Sequence, residues 1–291
     1  MHIVECISDT KDKLGESPIW VEEESSIYWV DIKRFLIHKL DIINNHKTSW
    51  TFNESIGCIA YINKNLFIAG TQLGFKFVDL KSNRLIPIIN PEPNYTNNRF
   101  NDGKCDNKGR FYAGSMNDIG NEPTGSFYIL YNDLTYKKID EGYEITNGPT
   151  FSVDSKKIYF TDTRKGEIYV SNLNEDGTLI EKKIFISIPA IEGKPDGMTF
   201  DQEGCLWVAL FGGSCLNRYN QKGIKIDSIQ MPVSCITSCV FGGENLDILF
   251  ITTSSHKLND QQKKNEPLAG SLFKTKLNIG GYKTNKFIQI N

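Results

Sequence analysis

The sequence has no long hydrophobic run. No apolar stretch among its 291 residues approaches the roughly 20 residues that a membrane-spanning helix needs. Residues 1–5 also lack the basic and apolar segments of a signal peptide. We therefore expect a cytoplasmic protein without a membrane partner.

An excess of charge of one sign is lacking too. The chain has 33 Lys and Arg against 35 Asp and Glu, which gives a formal net charge of −2. This balance provides no electrostatic reason to expect a nucleic acid as partner. The lysine-rich residues 257–264 are interrupted by Asn, Asp and Gln, and we interpret them as a solvated loop. The hydrophobic content of 39% is typical of a globular protein with a large core.

Patterns for disulfides and for soft-metal sites are absent. The number of cysteines, seven, is odd, and no two of them form a C-x-x-C pair. This argues against a disulfide framework and against a structural zinc site. The only histidines are His2, His38, His46 and His256, and none falls at a channel position identified below. A histidine-rich zinc centre and a Ser-His-Asp triad are therefore not expected.

What the chain does have is a repeat. Six short segments rich in Ile, Val, Tyr, Phe and Trp predict β-strands, namely residues 27–31, 66–70, 110–114, 158–162, 206–210 and 249–253. Each follows a turn-forming or polar position that leads into another apolar stretch. These six positions, which we call the channel ring, are Glu16, Ile56, Asn101, Asn147, Asp196 and Thr237, with spacings of 40, 45, 46, 49 and 41 residues.

Further strands follow each segment, and convincing helical patterns are scarce. Four strands that recur every 40–45 residues or so are the signature of a propeller blade. The sequence thus predicts an all-β protein, a six-bladed β-propeller with a central channel. We expect one domain over residues 1–291, with blades starting near residues 14, 54, 99, 145, 194 and 235. Residues 2–7 and residues 286–290 are both candidates for the outer strand of the last blade.

The channel ring contains the candidate functional residues. The innermost strand of each blade faces the central channel, so these six positions should surround one of its mouths. Two buried carboxylates close together cost several kcal/mol unless a cation or a proton compensates them. Because all the donors are oxygens, hard cations such as Ca²⁺, Mg²⁺ or Mn²⁺ are favoured. The alternative interpretation is that these residues only cap strands and begin turns.

Five segments resemble one known family. They are residues 14–20 (LGESPIW), 99–104 (RFNDGK), 146–149 (TNGP), 195–198 (PDGM) and 237–243 (TSCVFGG). In this order they are similar to regucalcin and the related sugar-acid lactonases, a family also called senescence marker protein, gluconolactonase and luciferin-regenerating enzyme. The resemblance runs from about residue 14 to residue 274. Each motif is short, but the ordered set is specific.

The resemblance implies a six-bladed propeller with one divalent metal bound by Glu16, Asn147 and Asp196. It implies that Arg99 and Asn101 bind substrate. The implied reaction is hydrolysis of a sugar-acid lactone to the aldonic acid, with the metal as Lewis acid on the carbonyl and an activated water as nucleophile. We assign Asp196 as ligand and general base. The metal could be Ca, Mn, Mg, Zn or Fe(II), and the protein is expected to be a monomer.

The match is weakest in a lid segment, residues 117–126, which is shorter than in the animal proteins. An acidic residue that contacts the sugar there has no clear counterpart, and Asp118 or Glu122 could replace it. Lys194 stands where the family usually has an apolar residue. It either reaches toward an anionic product or is solvated.

Other functions stay open at this point. A non-catalytic calcium-binding regulator of the regucalcin type is the main alternative. A propeller hydrolase for phosphotriesters or aryl esters would use more calcium ligands and a second buried calcium, and no second acidic cluster is evident. A propeller can also act as an interaction scaffold, which would need an exposed apolar or aromatic patch.

Overall fold

The fold was obtained as a computed structural model that describes residues 2–289. Within them, 24 strands form six antiparallel sheets of four strands each. The innermost strand of each sheet contacts that of the next, and the sixth contacts the first, so the sheets close into a ring. The predicted all-β, six-bladed propeller with a central channel is confirmed.

The bounds of the first three blades are as follows. Blade one contains β2 (Gly15–Val21), β3 (Ser26–Asp31), β4 (Leu36–Asp41) and β5 (His46–Thr51). Blade two contains β6 (Ile56–Asn63), β7 (Leu66–Thr71), β8 (Gly74–Asp79) and β9 (Arg84–Ile89). Blade three contains β10 (Asn98–Cys105), β11 (Phe111–Asn117), β12 (Gly125–Leu130) and β13 (Tyr136–Tyr143).

The other three blades repeat this order from the channel outward. Blade four contains β14 (Thr146–Phe151), β15 (Lys157–Asp162), β16 (Glu167–Leu173) and β17 (Leu179–Ser187). Blade five contains β18 (Lys194–Phe200), β19 (Leu206–Phe211), β20 (Cys215–Tyr219) and β21 (Lys225–Gln230). Blade six contains β22 (Ile236–Gly242), β23 (Ile248–Thr253), β24 (Leu272–Lys276) and, as its outer strand, β1 (Val4–Ser8).

The N-terminal segment therefore closes the ring. β1 pairs antiparallel with β24, with Val4 opposite Thr275 and Cys6 opposite Phe273. Of the two candidates for the outer strand of the last blade, residues 2–7 supply it. The other candidate, residues 286–290, forms no strand as far as residue 289, and Ile290 lies outside the described residues.

The C-terminal segment crosses the opposite end of the channel instead. Phe287 N–H donates to the carbonyl of Tyr61 over 2.9 Å, and its side chain, 2% exposed, packs between blades two and three. A cavity of about 330 Å³ lies between residues 282–285 and the far ends of the inner strands. This segment, residues 281–289, covers the channel on the side away from the channel ring.

One prediction about the surface was wrong. Residues 257–264 are solvent-exposed for the most part, but they are not only a loop, because a short helix, α1 (Asp260–Asn265), begins there. Its first turn is closed by a capping box, in which Asn259 accepts from the backbone of Gln262 and the Gln262 side chain accepts from Asn259 N–H. In residues 2–289 no helix has the length and apolar character to cross a membrane.

The hydrophobic core is divided among the blades. Six clusters of buried side chains each join two neighbouring blades, and Trp29, Phe67, Tyr112 and Trp207 are among the largest fully buried members. The second strands of the blades, such as β3 and β7, are buried on both faces, so their sequences are nearly continuous apolar runs and not alternating ones. All seven cysteines are free, as the sequence predicted.

Candidate active site

Every inner strand is irregular at the same point. The antiparallel register shifts just after the channel ring position in blades one, two and four, and across that position in blades three, five and six. The shifts lie at residues 16/19, 56/58, 100/102, 147/150, 195/198 and 236/238. A bulge adds an unpaired residue, bends the strand and redirects a side chain. Six equivalent bulges therefore direct six side chains toward one end of the channel.

The inner strands also approach one another closely at this level. A Cβ atom on Gly197 would meet Ser238 Oγ at 2.0 Å, and one on Gly57 would meet the Phe100 carbonyl oxygen at 2.1 Å. A side chain cannot be added at either position without moving backbone or a packed neighbour. The glycines thus allow the ring to be narrow enough for residues of different blades to interact.

Glu16 and Asp196 are the two carboxylates of the channel ring, and both are buried, with 3% and 5% exposure. Burial raises the pKa of Glu16 well above its ordinary value, and Asp196 raises it further. Burial and then Asp102 likewise raise the pKa of Asp196. Oδ1 of Asp196 has no hydrogen-bond partner within residues 2–289. These carboxyl groups face each other without enough compensating positive charge.

Asn147 is held in one orientation by its neighbours. Its Oδ1 accepts from Asn101 Nδ2 over 2.8 Å, and its Nδ2 donates to Thr163 Oγ1 over 2.8 Å. Thr163 in turn donates to the carbonyl of Pro195, next to Asp196. The amide oxygen keeps a second lone pair, which is available to a cation.

Arg99 and Asn101 form the next part of the same network. Arg99 Nη1 donates to Asn101 Oδ1 over 2.7 Å, and Arg99 Nε donates to Asp118 Oδ1 over 2.6 Å. Asn101 Nδ2 also donates to the carbonyl of Thr146 over 2.7 Å. Arg99 is only 4% exposed, so it is not a surface ion pair. Both amide hydrogens of Asn101 are engaged within the protein, which makes it a support for Asn147 as well as a candidate substrate contact.

The residues present fit a hard cation. Within residues 2–289 no three histidine, cysteine or carboxylate side chains converge as a metal site, and the predicted ligand set differs from such a group because its third member is an amide. Two buried carboxylates with raised pKa values and an unpartnered carboxylate oxygen are what a divalent cation would compensate. Oxygen donors are those that Ca²⁺, Mg²⁺ and Mn²⁺ prefer.

Comparisons with known proteins place this chain in a family. A family model described as "SMP-30/Gluconolactonase/LRE-like region" matches residues 14–255. The chain belongs to this family. It is 31% identical to L-arabinolactonase of Azospirillum brasilense over 97% of this chain and 94% of that one. It is 31% identical to regucalcin of Danio rerio over 96% of both. The solved structure of a luciferin-regenerating enzyme superposes with a TM-score of 0.93 at 27% identity and covers 100% of both chains.

In this member of the SMP-30/gluconolactonase family, a third carboxylate lies in the channel, and it was not among the residues predicted from the sequence. Asp102, one residue beyond Asn101, is buried, and burial raises its pKa to about 6 although Lys104 acts in the opposite direction. Burial lowers the pKa of Lys104, whose Nζ donates to the carbonyl of Met198 over 3.0 Å. The sequence does contain a signal for Asp102, which is its place in the repeat. The residue that follows the channel ring position is serine or glycine in the other five blades and aspartate only here.

The two remaining ring positions do not supply charge. Ile56 is fully buried. The hydroxyl of Thr237 donates to the carbonyl of Gly15 over 2.5 Å, which joins blade six to blade one. Thr237 therefore closes the propeller, and the polar part of the ring is Glu16, Asn101, Asn147 and Asp196.

The lid is attached beside this network. Asp118 accepts from Arg99 and from Lys33 Nζ at 2.8 Å. Burial raises the pKa of Asp118, but Arg99 and then Lys33 lower it below its ordinary value. Glu122 accepts from Asn117 Nδ2 within the lid and is exposed. Of the two acidic candidates, Asp118 is the one in contact with a predicted site residue.

No histidine lies in the channel ring, as predicted. A Ser-His-Asp chain does occur elsewhere: His38 Nδ1 is 2.7 Å from Ser49 Oγ, and His38 Nε2 is 3.1 Å from Asp12 Oδ1. Ser49 lies on β5, the exposed outer strand of blade one. Asp12 also accepts from Trp29 Nε1 and from Arg34, so this chain of bonds anchors the N-terminal segment.

Proposed function

We propose that this protein hydrolyses a sugar lactone to the corresponding acid with the help of one divalent cation held by Glu16, Asn147 and Asp196. The observation that carries the proposal is the pair of buried carboxylates, both with raised pKa values, at equivalent positions of blades one and five. Membership in the family and likeness to an L-arabinolactonase support a lactone as substrate. When bound, the cation would supply Lewis-acid stabilisation of the charge that develops on the carbonyl oxygen.

Side chains of this protein would activate the water and bind the substrate. Asp196 would accept a proton from the attacking water at Oδ1, the oxygen that has no other partner. Water oxygen would bond to the lactone carbonyl carbon, the bond from that carbon to the ring oxygen would break, and the ring oxygen would take up a proton. One lactone and one water thus give one hydroxy acid.

Arg99 and Asn101 would bind and orient the sugar. The Arg99 guanidinium is fixed by Asp118 and Asn101, so it would donate to substrate from one orientation at little further entropic cost. Asn101 donates to the Asn147 amide, and its own side-chain oxygen would lie on the same wall of the channel as the substrate. The strands around them are buried, and this excludes bulk water from the reacting atoms.

The test is hydrolysis of a panel of δ- and γ-lactones, crossed with Ca²⁺, Mg²⁺, Mn²⁺, Zn²⁺ and Fe²⁺ added to chelator-treated protein. We expect turnover that depends on metal and is lost in Asp196→Asn and Asn147→Ala. Asn217→Ala is the matched control, because Asn217 is a buried amide of β20 that bonds to Tyr219 OH and lies outside the channel ring.

The alternative from the sequence, a calcium-binding regulator without catalysis, has a different outcome in this experiment. It predicts micromolar calcium binding with no lactone turned over under any metal. Unchanged rates in Asp196→Asn and Asn147→Ala would show that the site is assigned wrongly.

A further inference from the structure

Three cationic side chains gather at the mouth of the channel. Lys194 begins β18, two residues before Asp196. Arg164 follows β15, whose end pairs with the start of β14 at Asn147. Lys257 follows β23, whose end pairs with the start of β22. All three therefore lie at the end of the propeller that carries the channel ring.

Their charges are not matched by carboxylates. Arg164 pairs with Glu144 over 3.3 Å, whereas Lys194 and Lys257 form no ion pair among residues 2–289. Burial lowers the pKa of Lys194, and Arg164 and Lys257 lower it further, while Glu144 acts in the opposite direction. The pKa of His256 is lowered by burial and then by Lys33 and Lys257. Arg164 and Lys194 thus share one carboxylate, Glu144, and Lys257 forms no ion pair within residues 2–289.

The channel ring carboxylates Glu16 and Asp196 lie at this end too, but in the proposed function they are compensated by the cation, and the other carboxylates near the mouth already have cationic partners. Asp118 is already shared by Lys33 and Arg99, and Asp162 pairs with Lys165 over 3.2 Å. Lys257 is also held at a φ of 68°, a left-handed conformation that costs on the order of 1 kcal/mol or more for a residue with a side chain. Lys194 is half-buried with Arg164 and Lys257 close to it, whereas Lys257 itself is exposed.

We infer that Lys194, Arg164 and Lys257 bind an anionic group of the substrate, so the preferred lactone carries a phosphate, sulfonate or carboxylate at the end of the sugar away from the ring carbonyl. The inference rests on the proposed function and specifies its substrate class. Lys194 lies two residues toward the mouth from Asp196, which is about 7 Å along an extended strand. That separation matches a sugar whose carbonyl is at Asp196 and whose far end is at the mouth.

The lid is connected to the same cations. Arg164 Nη2 donates to Asn121 Oδ1 over 2.8 Å, and Asn121 lies in the lid segment. The lid is bound on its other side by Lys33 through Asp118. An anion at Lys194 would therefore lie beside the lid, where a phosphate, sulfonate or carboxylate can be contacted by cations from two blades and a loop.

The experiment compares kcat/KM for matched lactones: glucono-δ-lactone and the same lactone with a phosphate on its sixth carbon. A sulfonate and a carboxylate at that carbon are further arms that distinguish the three anions. We expect the best anionic lactone to be preferred over the neutral one by at least about tenfold, a preference that weakens in 0.5 M salt. Lys194→Met should lower the ratio of anionic to neutral kcat/KM about tenfold, and the more exposed Lys257→Met about threefold.

Lys222→Met is the control, because Lys222 is an exposed lysine in the turn between β20 and β21 and removes the same charge elsewhere. Its ratio should equal that of the wild type. The ratio does not depend on the folded fraction, so a destabilised variant still gives an answer. Hydrolysis of the neutral lactone with no anionic preference, or a ratio unchanged in Lys194→Met, would overturn this inference and leave the proposed function standing. No turnover of any lactone would overturn both.

Discussion

Asn101 of blade three donates from Nδ2 to Oδ1 of Asn147 of blade four over 2.8 Å. Because Thr163 accepts from Nδ2 of Asn147, the amide has one orientation, with its oxygen on the side of Asn101. Arg99 fixes Asn101 in the same manner from the opposite side. The candidate amide ligand is therefore oriented by a chain of bonds from the lid to the fourth blade.

Removal of this support should weaken metal binding. For Asn101→Ala we expect an affinity for the divalent cation that is lower by about 10–100-fold, because the partners that orient a ligand typically contribute that much. Isothermal titration of chelator-treated protein measures it. Asn217→Ala should bind as the wild type does. Equal affinity in Asn101→Ala would mean that the Asn101–Asn147 bond has no part in the site.

The metal-free protein should become less stable as pH rises. The folded-state pKa values of Glu16, Asp196 and Asp102 are raised, the last to about 6, while in the unfolded chain such groups titrate near pH 4. Between these values the folded state binds more protons than the unfolded state, so stability is greatest below about pH 4 for these groups and is lost as pH rises through the folded pKa.

Thermal unfolding from pH 5 to pH 8 in the presence of a chelator tests this. Asp196→Asn should show a smaller decline of Tm than the wild type, because it removes one of the ionising groups. Added cation should raise Tm most at the upper end of this pH range, where the carboxylates are ionised. Identical slopes in Asp196→Asn and wild type would contradict the account.

The C-terminal segment should contribute to stability through one side chain. Phe287 is 2% exposed and packs between blades two and three, whereas its neighbour Ile288 is 53% exposed. Phe287→Ala should reduce the free energy of unfolding by about 3–5 kcal/mol. Ile288→Ala should cost much less. Denaturant unfolding measures both, and similar losses would show that the segment is not anchored at Phe287.

Asp12 should be structural and not catalytic. It is 1% exposed and accepts from Arg34, Trp29 and Thr10, with His38 also in contact. Asp12→Ala leaves buried partners unpaired, so we expect a loss of about 3–5 kcal/mol in unfolding free energy. Asp9→Asn, at an exposed carboxylate, is the comparison. Folded Asp12→Ala should retain kcat, and a selective loss of kcat at full stability would assign His38 and Asp12 a catalytic role.

The propeller could be predicted because its signal is local and repeated. Segments such as residues 27–31 and 206–210 carry the apolar, β-branched and aromatic composition of buried strands, and their spacing gives the number of blades. The channel ring followed from the same spacing. In the structure each blade begins its inner strand at an equivalent point, and a register shift lies at or directly after Glu16, Asn147 and Asp196. Their role as metal ligands stays a prediction.

What sequence could not provide depends on contacts between distant segments. Whether residues 2–7 or 286–290 form the outer strand is decided by pairing with β24, which neither segment encodes alone. Asp102 resembles an ordinary turn residue until its burial is known. In the sequence, Lys194 and Lys257 each resemble an ordinary solvated lysine. Only the fold places Lys194 close to Arg164 and Lys257. α1 was missed because six residues are too short for a periodic pattern.

The central claim is that Glu16, Asn147 and Asp196 hold one divalent cation in the channel, and calorimetric titration of Ca²⁺ and Mn²⁺ into chelator-treated protein tests it most directly. We predict one equivalent of cation per chain for the wild type, and affinity lower by at least about 100-fold in Asp196→Asn and in Asn147→Ala. Asn217→Ala should titrate as the wild type does. A wild-type protein that binds no cation, or ring variants that bind it with unchanged affinity, would contradict the account.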